Sequence, residues 1–184
     1  MQKGNKMAIL KKILVAGFLF MFTFSIVAAE KEMQQASQVV SDFQTKLLSV
    51  MQQDDLNFDA RFEQLKPMVI QTHDLAKMTR IVISKQWRSL EKEQKQQLIN
   101  HIARLSIASY AHYFKSYSGE IFKIESVKQL SPAQIYVHSF LVLPNDNDVS
   151  MDYLLKKKGD GWRIINIITN WVSDLALKRS ECGA

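Results

Sequence analysis

The side chains of this chain that could do chemistry are four histidines, one cysteine and a scatter of acids and amides. His73, His101, His112 and His138 never stand three or four residues apart. Zinc sites draw on ligands clustered at such spacings, so no metal is expected. Cys182 is the sole cysteine, which leaves no internal disulfide and no Cys-x-x-Cys pair. Asn145-Asp146-Asn147-Asp148 offers oxygens, but Val149-Ser150-Met151-Asp152 follows. An EF-hand loop needs regular oxygen spacing, a glycine and a terminal Glu, so the run reads as a turn. The chain contains no G-x-S-x-G, no G-x-G-x-x-G and no G-x-x-x-x-G-K, the usual marks of a nucleophile elbow or a phosphate loop. Asp152 and Asp174 remain as acid–base candidates, with His138 in mid-strand, and the sequence pairs neither aspartate with a second titratable group.

The chain is rich instead in large apolar groups. Residues 106–124 read SIASYAHYFKSYSGEIFKI, with Tyr110, Tyr113, Phe114 and Tyr117 at helical spacing and Phe122 beyond a Ser-Gly break. Ile99, Ile102, Leu105, Ile124, Met151, Tyr153 and Trp162 add to the excess. Core packing must absorb many of these. A ligand cavity is the sharper reading, because pockets are mostly apolar with few polar groups.

The elements that must position these groups follow from hydrophobic period. Residues 33–51 carry Ala36, Val39, Val40, Phe43, Leu47, Leu48, Val50 and Met51, recurring at three and four as in an amphipathic helix. A second helix is expected over about 59–71, with Pro67 starting or kinking a segment. Asp74 is placed to cap a third, short helix. Ser89 is the expected N-cap of a long helix running to about residue 116, with Gly119 ending it. The period then falls to two over 120–128, 133–144, 148–157 and 162–170, which reads as four strands. Short turns at 145–148 and 158–161 imply antiparallel neighbours. Residues 172–181 begin another helix. The order predicts an α+β domain, N-terminal helices packed on a four-stranded antiparallel sheet.

The first 29 residues stand apart. Lys3, Lys6, Lys11 and Lys12 precede an uncharged run of 17 residues from Ile13 to Ala29 that ends Val27-Ala28-Ala29. That is the pattern of a cleavable secretory signal peptide, so residues 30–184 are expected as one exported mature domain. An uncleaved anchor holding an interaction domain on the membrane is the alternative, since the run reaches the short end of the roughly 17–25 residues that span a bilayer. Without the four leader lysines, 24 basic residues become 20 against 18 acidic, and the net charge falls from +6 to +2. A nucleic-acid partner, which calls for a basic patch on the folded domain, is not expected.

Several stretches in order, FDARFEQLKPMV, DLAKMTR, WRSLEKEQ, SYAHYFKSYSGEIF, MDYLL, GWRIINI and VSDLALKRSE, resemble the MlaC-like, toluene-tolerance family of periplasmic lipid-shuttle proteins. The resemblance covers nearly all of residues 33–181, and the SYAHYFKSYSGEIF and SDLALKRSE stretches look most like its hopanoid-associated (HpnM-like) branch. It implies a carrier with a lipid cavity between helices and sheet, no catalytic residues and no cofactor, the bound lipid being cargo. The implied cargo is a phospholipid or a hopanoid. The implied partners are an inner-membrane transporter complex of the ABC type and an outer-membrane lipoprotein complex, or an RND-type exporter. Position places Met78, Val82, Ile99, Ile102 and Leu105 on the helical side of the expected lipid space, with Tyr110, Tyr113 and Tyr117 along its rim. Phe122, Ile124, Val137, Met151, Tyr153 and Trp162 face it from the sheet. Asn166 stands where members often have Asp, and Trp171 where they often have Gly. Relatives usually continue for about another helix beyond ECGA, so a truncated C-terminal helix is expected. The alternative to a carrier is a small exported enzyme acting on an apolar substrate.

Overall fold

The computed structural model describes residues 29–53 and 55–181. The chain divides into two compact units, residues 1–34 and 35–184, and the described part of the second holds the fold. The expected leader, Ala29 excepted, and Cys182 lie outside the described residues. Among those described, no helix is long and apolar enough to cross a membrane.

Helix α1 covers residues 29–51. Ala36, Val40, Phe43, Leu47 and Val50 alternate steps of four and three and are fully buried, so one stripe carries the helix onto the core. Helix α2 runs Phe58–Thr72, capped by Asn57, whose Oδ1 accepts from the Ala60 amide at 2.9 Å. Pro67 sits inside this helix rather than at its start. Helix α3, Leu75–Ile83, is capped by Asp74 as the sequence predicts, and the same carboxylate pairs with Lys158 at 2.9 Å. A short 3-10 turn, Ser84–Arg88, leads to the long helix α4, Lys92–Tyr113.

The boundaries of α4 differ from expectation at both ends. Glu91, not Ser89, is its N-cap, and Gln94 reaches back to the Glu91 amide in a capping box. Ser89 instead donates to Gln86 O and closes the 3-10 turn. The helix stops at Tyr113 because Phe114 leaves helical geometry, at φ −99° and ψ 63°. Arg61 Nε donates to Ala111 O at 2.8 Å, meeting one of the carbonyls that a helix end leaves bare. Gly119 lies beyond the helix at φ +105°, with Pro144 so close that a Cβ would meet it at 3.1 Å.

The sheet is an antiparallel meander, β1 (Ile121–Ser131), β2 (Gln134–Val142), β3 (Val149–Lys158), β4 (Gly161–Thr169) and β5 (Val172–Ser173) in spatial order. It has five strands rather than four. The additional one forms because Asn170 and Trp171 both take left-handed backbone, φ 47° and 69°. Two such residues make the tight hairpin turn that favours glycine, and it returns Val172 and Ser173 onto Thr169 and Ile168. Helix α5, Asp174–Glu181, follows at once. One sheet face meets the helices: Val137 pairs with Tyr153 and Tyr153 with Ile167, all three buried. Gln44 of α1 reaches Ser139 and Tyr153 on that face at 3.0 and 3.3 Å. His73, just after α2, bridges Ile164 of β4.

Candidate functional site

A cavity of about 540 Å³ opens between the C-terminal half of α4, the inner sheet face and α5, within the roughly 300–1,000 Å³ of typical ligand pockets. Leu105, Tyr110 and Phe114 line its helical wall, Leu141, Leu143, Val149, Met151 and Ile167 its sheet wall, and Met51 the end of α1. Val172, Asp174, Leu177 and Lys178 close it from β5 and α5. Tyr110, Phe114, Met151 and Ile167 are buried, while Tyr113, Val172 and Leu177, 76%, 49% and 51% exposed, form the mouth. A larger groove of about 990 Å³ runs between α2 and α4. It is a more open furrow whose walls carry Asp59, Glu63, Lys66, Gln97, Asn100 and Arg104. The smaller space, walled by strands and helices together, is the better candidate for enclosing a ligand.

The polar groups on the cavity wall are mostly committed. Ser109 donates to Leu105 O at 2.9 Å. Tyr110 meets His73 Nε2 at 3.1 Å, so its hydroxyl is tied inward, not offered to water at a rim. Burial pushes the Tyr110 phenol well up, and Asp174 and Tyr153 add to the push. Burial draws His73 down to about 3, with Lys178 adding to the effect. The imidazole is therefore neutral. Asn166 Oδ1 accepts from Ser173 Oγ at 3.1 Å and from the Leu175 amide at 3.4 Å, and so fixes the start of α5 against β4.

Of the residues expected around this space, Leu105, Tyr110, Tyr113 and Met151 line it. The structure sets the others elsewhere. Met78, Val82 and Ile102 pack with Ile83 and Leu175 in a core cluster. Val137 and Tyr153 are buried on the inner sheet face, where Tyr153 stacks edge-on with Phe43 of α1. Trp162 is buried near the start of β4, and Ile99 is half-buried in the first half of α4. Phe122 is half-buried on β1 with its ring 6.2 Å from that of Phe114, and Ile124 is half-buried two residues further along the strand. Tyr117 lies in the link after α4, off the helical stripe, because the helix has already ended. Sequence reasoning missed Met51, Leu143, Ile167 and the whole contribution of β5 and α5. Leu141, Leu143 and Val149 do carry a signal, since they flank one turn on the apolar side of their strands.

Asp152, a candidate acid from its type alone, is buried on the opposite sheet face. It accepts from Tyr136 at 2.7 Å and lies 2.5 Å from His138 Nδ1, while His138 Nε2 faces Glu125 at 3.2 Å. Burial and the bond to Asp152 push the Tyr136 phenol up to about 12. Alternation along β3 turns Met151 and Tyr153 toward the helices and Asp152 away, so this network has no access to the cavity. No group of three His, Cys, Asp or Glu side chains able to hold a metal occurs among the described residues.

A comparison with curated proteins returned no match. Among solved structures, the phospholipid-binding protein from Ralstonia solanacearum, determined in complex with a phospholipid, is similar in fold, with a TM-score of 0.69 at 19% identity. The match covers 82% of this chain and 84% of that one. The family model described as "MlaC protein" matches residues 41–184. The chain therefore belongs to the MlaC family.

Proposed function

We propose that the protein is a periplasmic lipid carrier that takes phospholipid acyl chains into the cavity between α4, the sheet and α5. The observation that carries this reading is the cavity itself, about 540 Å³ and walled chiefly by Leu, Ile, Val, Met and aromatic side chains. Family membership and the likeness to a phospholipid-binding protein support it. Each methylene withdrawn from water contributes about 0.8 kcal/mol, so a sixteen-carbon tail gains roughly 13 kcal/mol before losses. A carrier must balance this against the similar gain the tail has in a bilayer. An apolar wall with adaptable Met51 and Met151 suits that balance better than a rigid polar site.

The cargo passes between membrane complexes, an inner-membrane transporter and an outer-membrane lipoprotein complex, in this reading. The resemblance to the hopanoid-associated branch supports a triterpenoid as the other cargo class, delivered to an RND-type exporter. Native mass spectrometry of the purified protein tests the proposal. A co-purified mass matching phospholipid is expected, and a triterpenoid mass would move the assignment to the second class. Protein that is empty and takes up neither lipid from vesicles would refute the carrier reading.

A further inference from the structure

The exposed apolar side chains of this protein are gathered rather than scattered. Among the described residues nine large ones are exposed, and six of them, Tyr113, Tyr117, Ile121, Trp171, Val172 and Leu177, belong to the end where the cavity opens. Tyr113, Val172 and Leu177 line the mouth itself. Tyr117 and Ile121 adjoin Ser116 and Glu120, which line it too. Gly119 lies against Pro144, so the link after α4 and the β2–β3 turn close the same end. Trp171 tips the turn that carries Val172, and Asn170 ties that turn to Ser150 of β3 through two bonds of 3.0 Å. Single exposed apolar residues need no explanation, but a gathered patch marks an interaction site. Trp171 stands furthest into solvent, 86% exposed, on left-handed backbone at φ 69°. A bulky residue there is unfavourable, and such outliers point to function.

We infer that this end of the molecule seats on a zwitterionic lipid bilayer, with Trp171 as its interfacial anchor. The inference rests on the lipid-carrier reading and says where cargo enters. Indole and phenol rings join an apolar body to one polar group, and they settle at the headgroup level of membranes. Set around the mouth, they bring the cavity against acyl chains, and a tail that passes straight across is never exposed to water. Charge decides the kind of surface. Glu120, Asp146 and Asp148 accept from the backbone amides of Ser118, Asn147 and Leu143. These carboxylates serve their own turns and do not call for a basic protein partner. They outnumber the exposed Lys115, so this end has no basic patch to draw anionic lipid.

The test mixes the delipidated full chain with phosphatidylcholine vesicles brominated on their acyl chains. Tryptophan emission is expected to shift to the blue and to be quenched. The chain has two other tryptophans, Trp162 buried and Trp87 half-buried, so the quenching is expected to vanish in Trp171→Gly. Glycine suits φ 69°, and the variant keeps the turn. Its uptake of lipid from vesicles should slow about tenfold, with the final load unchanged because Trp171 is not on the cavity wall. Emission that the vesicles leave unchanged, quenching that persists in Trp171→Gly, or an unchanged uptake rate would overturn the anchor, while loading from detergent micelles would keep the carrier reading standing. Quenching confined to vesicles rich in phosphatidylglycerol and abolished at about 1 M salt would overturn it in favour of an electrostatic surface. A dimer in solution that Trp171→Gly dissolves would assign the patch to a second copy and overturn it as well. Quenching by vesicles without any lipid uptake would uphold the docking face and overturn the carrier reading.

Discussion

The proton on His73 is fixed by its neighbours. Thr72 Oγ1 donates to Met68 O at 2.7 Å, so at 2.9 Å from His73 Nδ1 it can only accept. Nδ1 must then carry the hydrogen, and Nε2 is left to accept from the Tyr110 hydroxyl at 3.1 Å. Protonating Nε2 would take away the acceptor of the phenol's own proton, which agrees with a pKa drawn down to about 3 by burial and Lys178. The folded value lies below the unfolded one, near 6.5. The folded state thus binds fewer protons than the unfolded state between those values, and stability is lost as pH falls from 6.5 toward 3. The slope from this group approaches about 1.4 kcal/mol per pH unit. Urea melts at stepped pH should show it, and His73→Gln should flatten the profile by that amount.

The residue scale also separates cavity from core. Ile102 is fully buried in the core cluster, so Ile102→Trp overpacks it and is expected to destabilise by about 1–3 kcal/mol or more. Leu141 lies on the cavity wall, and Leu141→Trp should lower lipid load while leaving the melting transition of the delipidated protein largely in place. Lipid per protein by extraction, read beside the thermal midpoint, distinguishes the two.

At the scale of elements, the helical stripe of α1 and the strand alternation were legible because each follows from local periodicity. Ala36, Val40, Phe43, Leu47 and Val50 announce their buried face by spacing alone. Caps were less legible, since Ser89 and Glu91 are both acceptable and the 3-10 turn claims the serine. Glu91→Ala is therefore expected to cost about 1 kcal/mol, whereas Ser89→Ala should change stability by less than about 0.5 kcal/mol, as checked by urea midpoints at constant slope. The fifth strand escaped notice because an Asn-Trp pair lacks the glycine that usually marks a two-residue hairpin turn.

Across the whole molecule, the cavity is built from residues far apart in the chain. Met51, Leu105, Met151 and Leu177 share one space, and no periodicity says which apolar residues will meet. Met78 and Met151 are the same residue type on apolar faces, yet one is sealed in the core and the other walls the cavity, because α5 docks over α3 at Leu175 and passes beside the sheet at Leu177. A ligand held in that space stabilises by mass action, about 2.7 kcal/mol at a hundredfold excess over Kd. Delipidated protein should accordingly melt roughly 5–10 °C lower than the loaded form, and should recover the difference on reloading.

The contribution of α5 bears on how the protein is made. That helix follows every other described element in the chain, and Arg179 ties it back to Ile81 O across 98 positions. A nascent chain forms its meander and packs the earlier helices with one flank of the binding space still an open trough. Closing so distant a contact comes late, because the entropy of the intervening loop must be spent before the contact returns anything. The container is therefore closed after the elements that form its other walls, and loading with lipid can begin only once α5 has docked.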